Sequence, residues 1–211
     1  MTDSKYFETR FAYDAARDGV WKVISSYLSG EIKGTDAVLD LGAGYCSFIN
    51  NIKAGKKYAA DTYPDFKKNA AADVETYVCD SSDLGALPAG ALDAVFSSNM
   101  LEHLPLEKIL STVREARRLL KSGGKLILLL PNFRYSYRTY YDDYTHVTPL
   151  TDAGVCDLLK SEGFEIKKSL PKFLPFSFKS RFPKAPFLVW LYLRLPFKPF
   201  AGQMLIVAEK P

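Results

Sequence analysis

The run Asp40-Leu41-Gly42-Ala43-Gly44-Tyr45-Cys46 sets an acid and two glycines at the end of an apolar stretch. Glycines there let the backbone approach a ligand, and the N–H groups opening a following helix attract a nucleotide-like occupant. Asp61 comes about 20 residues after the glycine turn, the spacing at which an acid accepts hydrogen bonds from ribose hydroxyls. Asp80, followed by Ser81 and Ser82, closes another apolar run and suits an adenine amino group. A third glycine or alanine of the dinucleotide fingerprint would stand at Ser47, so a nicotinamide dinucleotide is disfavoured. A tight turn at Gly42 to Gly44 and a helix-terminal acid at Asp61 are the plainer readings, and both stay open on the residues alone.

The chain has two histidines. His146 stands in Tyr140-Tyr141-Asp142-Asp143-Tyr144-Thr145-His146-Val147-Thr148-Pro149, and an imidazole, with an ordinary pKa near ~6.5, accepts a proton at neutral pH. It is the first candidate base, with Asp142 or Asp143 to orient it; a structural loop role is the alternative. His103, after Glu102, is the second candidate, against the reading that Glu102 and His103 merely fix a pocket wall. No metal is called for. Between Phe133 and Tyr141 aromatics alternate with arginines, which suits stacking on a sugar ring or base, or a lid packing its own tyrosines.

These residues need a scaffold, and the hydrophobic pattern supplies one. A helical region over Asp14 to Leu28 precedes a buried strand at Ala37 to Leu41, and the glycine turn leads into an expected helix from Cys46 to Lys53. Strands at Lys57 to Ala60, Glu75 to Cys79, Leu92 to Phe96 and Lys125 to Leu130 follow, with helices at Asp65 to Ala71 and Leu106 to Leu120. Ser122-Gly123-Gly124 is expected to stop the second of these helices. After the aromatic insert, Thr151 caps a helix running to Glu162; strands at Phe164 to Leu170 and Gln203 to Glu209 then form an antiparallel hairpin across a non-helical, Pro-rich excursion. The alternation predicts an α/β three-layer sandwich.

The set Val38 to Gly44, Asp61, Cys79-Asp80, Leu92 to Leu104 and Gly123-Gly124-Lys125-Leu126 resembles the class I S-adenosylmethionine-dependent methyltransferases, over about Val38 to Pro131. The resemblance implies a Rossmann-like, seven-stranded, mostly parallel sheet with an antiparallel C-terminal strand, and S-adenosyl-L-methionine as cofactor. It implies that Asp40, Gly42, Ala43 and Gly44 flank the methionine moiety, Asp61 the ribose, Asp80 with Ser81 the adenine, and that Asn99 lies near the reacting methyl. Cys46 stands where that family often has a third glycine. The Thr-His-Val-Thr-Pro-Leu-Thr stretch is similar to methyltransferases of polysaccharide biosynthesis, so the expected acceptor is a saccharide or glycan hydroxyl. Another small metabolite, a nucleic acid, or a cofactor-binding regulatory protein without turnover are the alternatives.

At 211 residues, 47% hydrophobic and 25% charged, the chain reads as one globular domain, 1–211, with caps at 1–30, 131–150 and 171–202. The charged N-terminus lacks an export signal's apolar run, and three scattered cysteines argue against a disulfide framework or structural zinc, so a cytoplasmic location is expected. With a pI of about 8.8, nucleic acid is disfavoured as a partner. Between Glu165 and Glu209 there is no acid but Lys167, Lys168, Lys172, Lys179, Arg181, Lys184, Arg194 and Lys198 are basic, which fits peripheral contact with an anionic membrane or a connection with a basic rim.

Overall fold

The computed structural model describes residue 14, residues 16–175 and residues 185–211. Lys179, Arg181, Lys184 and parts of the caps expected at 1–30 and 171–202 lie outside the described residues.

The elements run α1 (Ala16–Leu28), β1 (Ala37–Leu41), β2 (Lys56–Asp61), β3 (Val74–Val78), β4 (Leu92–Ser98), α2 (Leu106–Leu119), β5 (Leu120–Pro131), α3 (Phe133–Ser136), α4 (Asp152–Ser161), β6 (Glu165–Leu170), α5 (Pro186–Arg194) and β7 (Gln203–Glu209). The strands make one sheet in the order β3-β2-β1-β4-β5-β7-β6. Neighbours from β3 to β5 are parallel, whereas β7 runs antiparallel to both β5 and β6. This is the expected mostly parallel sheet with an antiparallel last strand.

Because side chains alternate along a strand, β5 sends Leu126, Leu128 and Leu130 to one face and Ile127 and Leu129 to the other. The first face packs on Ile109, Val113 and Ala116 of α2 and on Val155 and Leu159 of α4. The second packs on Val20, Trp21, Ile24 and Leu28 of α1 and Leu193 of α5, completing three layers. Each fully buried Leu or Ile contributes about 1.5–3 kcal/mol, so both layers are strongly held. Phe48 stacks on Phe96 at 3.8 Å between ring centroids and Trp21 meets both edge-on, tying α1 to β4 through the segment that follows β1. The described part of the expected N-terminal cap, α1, is thus a layer of the core.

Four expectations need correction. Residues 46–51 form consecutive turns instead of a helix running to Lys53: Cys46 takes a left-handed φ of 54°, so no helix includes it, and the bonds from Asn50 to Cys46 and from Asn51 and Ile52 to Phe48 close single turns only. The expected helix at Asp65 to Ala71 is a 3₁₀ helix, Pro64–Asn69. The segment Ser122-Gly123-Gly124 lies inside β5: the helix already ends at Leu119, and the Gly123 N–H donates to the Lys210 carbonyl at 2.7 Å while Gly124 accepts from the Lys210 N–H. The excursion before β7 contains α5, whose Pro186 falls in the first turn, where a missing N–H costs no helical bond. Thr151 does cap α4, accepting from the Gly154 N–H at 3.2 Å.

The turn after β1 is tightest at Gly42, where φ is 76° and an added Cβ would stand 2.7 Å from Met100 Cγ. Gly42→Ala is expected to lower stability by about 1–3 kcal/mol through backbone strain, with Met100→Ala relieving only the steric part. Urea midpoints of the two single variants and the double variant check this; an unchanged midpoint for Gly42→Ala would show that the turn relaxes freely.

Candidate active site

The chain leaves β1 toward β2 and β3 on one side and returns to β4 and β5 on the other, so the C-terminal ends of β1 and β4 flank the sheet's switch point. Open α/β sheets bind ligands in the crevice there.

The glycine turn folds back on the end of β2. The N–H groups of Gly42 and Ala43 donate to the Ala60 carbonyl at 2.9 and 3.1 Å, and the Gly44 N–H donates to Asp61 Oδ2 at 2.9 Å. Asp61 Oδ1 accepts from the Tyr63 N–H at 2.9 Å. Burial raises the Asp61 pKa while these N–H groups pull it back. A carboxylate has about four acceptor sites, so both oxygens can still receive hydroxyls. Asp40, 3% exposed within β1, is pushed up to about 7 by burial, aided by the charge of Asp61 and opposed by the Ile49 N–H and Arg17. The structure therefore brings Asp40, Gly42, Ala43, Gly44 and Asp61 into one clasp.

The other expected cofactor residues are differently engaged. Asp80 pairs with Lys108 at 2.6 Å and accepts from the Ser82 N–H and hydroxyl at 2.8 Å, all on Oδ1; burial acts against ionisation, but these contacts hold its pKa low. The Ser81 hydroxyl meets Thr112 of α2 at 2.8 Å, so it packs against the helix. Asn99 follows β4 directly with a left-handed φ of 50°, and its Oδ1 accepts from Gln203 Nε2 of β7 at 2.8 Å.

The two histidines, candidates of separate segments, meet. Their rings lie 4.8 Å apart between centroids, and Nε2 of each is 4.0 Å from Glu102 Oε1. Glu102 is 1% exposed, and its pKa is pushed up to about 8 by burial, with Asp143 adding to the rise. Burial and the neighbouring His146 push His103 down to about 4, so it is neutral at physiological pH. The orienting partners differ from expectation. His146 Nδ1 lies 2.7 Å from the Tyr140 carbonyl and therefore donates to it. Asp143 instead accepts from the Thr145 N–H and hydroxyl, and Thr145 Oγ1 lies 2.9 Å from His103 Nδ1. Asp143 thus orients His103 through Thr145. The insert is fixed over β4 by the N–H groups of Val147 and Thr148, which donate to the Glu102 carbonyl at 3.0 and 3.1 Å. Thr145 and Tyr140 are not legible as site residues in the sequence, and Glu102 is legible there only as part of a pocket wall. The adjacent Glu-His pair was the available signal, but nothing local joins it to His146.

Residues 39–128 match the family model described as Methyltransferase domain. Among solved structures, a SAM-dependent methyltransferase from Archaeoglobus fulgidus is 21% identical, with 99% of this chain and 100% of that one covered and a TM-score of 0.68. A protein from Pyrococcus horikoshii OT3 is 16% identical over 99% and 100%, with a TM-score of 0.71. The geranyl diphosphate C-methyltransferase of Streptomyces coelicolor, solved with Mg²⁺, geranyl diphosphate and S-adenosyl-L-homocysteine, is 14% identical over 89% and 77%, with a TM-score of 0.65. No curated protein matches. The matched domain and the strand order together define a Rossmann-like methyltransferase fold. Over residues 39–128 the chain is similar to the methyltransferase domain family, and its fold is that of the class I S-adenosylmethionine-dependent methyltransferases.

The raised Asp40 pKa has a signed consequence. Between ~4, where an unfolded Asp ionises, and about 7, the native state holds a proton that the unfolded chain has lost, so stability falls as pH rises through that window. Asp40→Asn should remove this slope, which amounts to a total of about 4 kcal/mol across the window. Urea unfolding on both sides of the window measures it; an unchanged slope would assign the titration to another group.

Proposed function

We propose that the chain transfers a methyl group from S-adenosylmethionine to a hydroxyl of a small-molecule acceptor, and that this acceptor is a saccharide or glycan precursor. The observation that carries the reading is the Asp40, glycine-turn and Asp61 clasp at the switch point. Asp40 would answer the positive charge of the methionine moiety and Asp61 would take the ribose hydroxyls. An adenine amino group would share Asp80 with Lys108. When bound, the sulfonium supplies an activated methyl. The protein's task is then to align the acceptor oxygen and exclude water. His103, whose side chain is partly exposed, would be the nearer of the two histidines to an acceptor, since His146 is buried, and the exposed rings of Tyr135, Tyr137, Tyr141 and Tyr144 offer stacking surfaces for a sugar. The geranyl diphosphate enzyme among the structural relatives favours a small acceptor over a nucleic acid.

Labelled-methyl transfer from S-adenosylmethionine into fractionated lysate tests the reading: label is expected in the saccharide or glycan fraction, and label in nucleic acid would overturn the acceptor class. Asp61→Ala should weaken S-adenosylhomocysteine binding about tenfold to a hundredfold by calorimetry, the ~1.5–3 kcal/mol of charge-assisted hydrogen bonds. Unchanged affinity in the folded variant would reduce Asp61 to a brace for Gly44.

A second reading concerns location: a cytoplasmic protein in peripheral contact with an anionic membrane. It is favoured by Phe187, Leu188, Trp190 and Leu191 exposed on α5, with Phe197 and Phe200 beyond it. No described helix is long and apolar enough to cross a membrane. The described cations contribute less than their number implies. Lys167 pairs with Glu165 and Glu209, Lys168 pairs with Glu31, and Lys198 donates to the carbonyls of Tyr192 and Leu195. Arg194 lies 3.8 Å from the Trp190 ring centroid, beside the apolar face. Contact would therefore depend on shallow insertion more than on charge. Trp190→Ser is expected to reduce co-sedimentation with anionic liposomes several-fold, and absence of co-sedimentation by the unaltered protein would remove the reading.

A further inference from the structure

The grouping of Glu102, His103 and His146 has an arrangement that methyl transfer does not require. One ligand-capable atom from each residue falls within 4.8 Å of the other two. These are two imidazole nitrogens and a carboxylate oxygen, the donor types that suit zinc and related divalent transition ions.

The hydrogen bonds fix which atoms point inward. His146 Nδ1 can only donate to the Tyr140 carbonyl, which puts the lone pair on Nε2. The Thr145 hydroxyl gives its proton to Asp143 Oδ1 at 2.6 Å and so must accept from His103 Nδ1, which puts that ring's lone pair on Nε2 as well. Both Nε2 atoms lie on the Glu102 side. A metal-binding histidine ordinarily donates its other ring N–H to a carbonyl or toward a carboxylate, and here the Tyr140 carbonyl and the Thr145–Asp143 relay supply those partners.

Glu102 gives the second, independent observation. Its Oε2 is fully buried and has no hydrogen-bond partner, although unsatisfied buried carboxyl oxygens are costly. We infer that Glu102, His103 and His146 form a divalent transition-metal site with two imidazole ligands and one carboxylate ligand. The donors stand 4.0 Å apart across each Glu–His pair, and ligands ~2.0–2.2 Å from zinc need only modest side-chain closure. The His103 side chain is 21% exposed, so one side of the site reaches solvent. Three protein ligands on an ion open to one side leave a position for water or an acceptor oxygen, the pattern of catalytic sites as opposed to closed structural ones. The site itself does not depend on what the acceptor is.

The test is titration of chelator-stripped protein with Zn²⁺ by calorimetry, and with Co²⁺ by its visible absorption, which reports nitrogen and oxygen ligation. One ion per chain is expected. His103→Ala, His146→Ala and Glu102→Gln should each weaken Zn²⁺ about a hundredfold, and Thr145→Val about tenfold to a hundredfold through the relay alone. Cys79→Ser and Cys156→Ser should leave affinity unchanged. Thermal melts and S-adenosylhomocysteine binding, measured on every variant, separate a lost site from a lost fold. The inference is overturned if stripped wild-type protein takes up no ion, if the cysteine variants abolish uptake, or if folded Thr145→Val and the ligand variants bind as wild type does. Failure to bind S-adenosylhomocysteine by protein that holds the ion would count against the methyltransferase reading alone.

Discussion

A carboxyl group at the fourth position of a strand buried along its whole length is the constraint around which this molecule is arranged. Asp40 cannot be solvated where β1 places it, so the surroundings must supply a proton, an N–H group or a cation. The Ile49 N–H and the Arg17 charge both act on it, and both come from elements otherwise explained by packing. The segment after β1 must turn back far enough to bring Ile49 over Asp40 while Phe48 reaches the Phe96 stack. A straight helix from Cys46 would leave that path, and the left-handed Cys46 keeps it. The glycine turn is pinned in consequence, with its N–H groups directed to Ala60 and Asp61.

A large share of this architecture is legible in the residues. The short apolar runs Ala37 to Leu39 and Leu126 to Leu130, bounded by turn residues, read as strands buried on both faces, and the spacing of Ile109, Val113, Ala116 and Leu119 reads as one helix face. Errors arose where local preference yields to tertiary partners. Gly123 and Gly124 look like a helix stop, yet they are held in the sheet by Lys210, 86 or more residues away in the chain. The excursion's prolines look like a helix-free connection, yet Pro186 opens α5, which buries Leu193 on the same face as α1.

The site shows the same division. Asp40 and the glycines adjoin at the end of β1 and Asp61 ends β2, so their convergence follows from the parallel pairing of those two strands. Glu102 and His146 are 44 residues apart in sequence and meet only because the insert lays Val147 and Thr148 on the Glu102 carbonyl. Charge patterning was equally incomplete as a guide. A stretch without acids reads as a cationic surface, but Glu31, from before β1, reaches Lys168 on the far edge strand and also Lys125.

The position of β7 bears on the order in which such a sheet can be assembled. The edge strand β6 pairs only with β7, and β7 closes the gap between β6 and β5. The hairpin therefore cannot zip onto the sheet from its nearer end in sequence. Gln203 to Ala208 are all buried between the two neighbours. Such late, non-local pairing is slow because loop-closure entropy is lost before contacts are gained. Gln203 then brings its amide to Asn99, so the wall at the end of β4 is finished only with this step. The glycine clasp is built wholly at the ends of β1 and β2, whereas the wall at Asn99 draws on the last strand, so the two sides of the crevice depend on opposite ends of the chain.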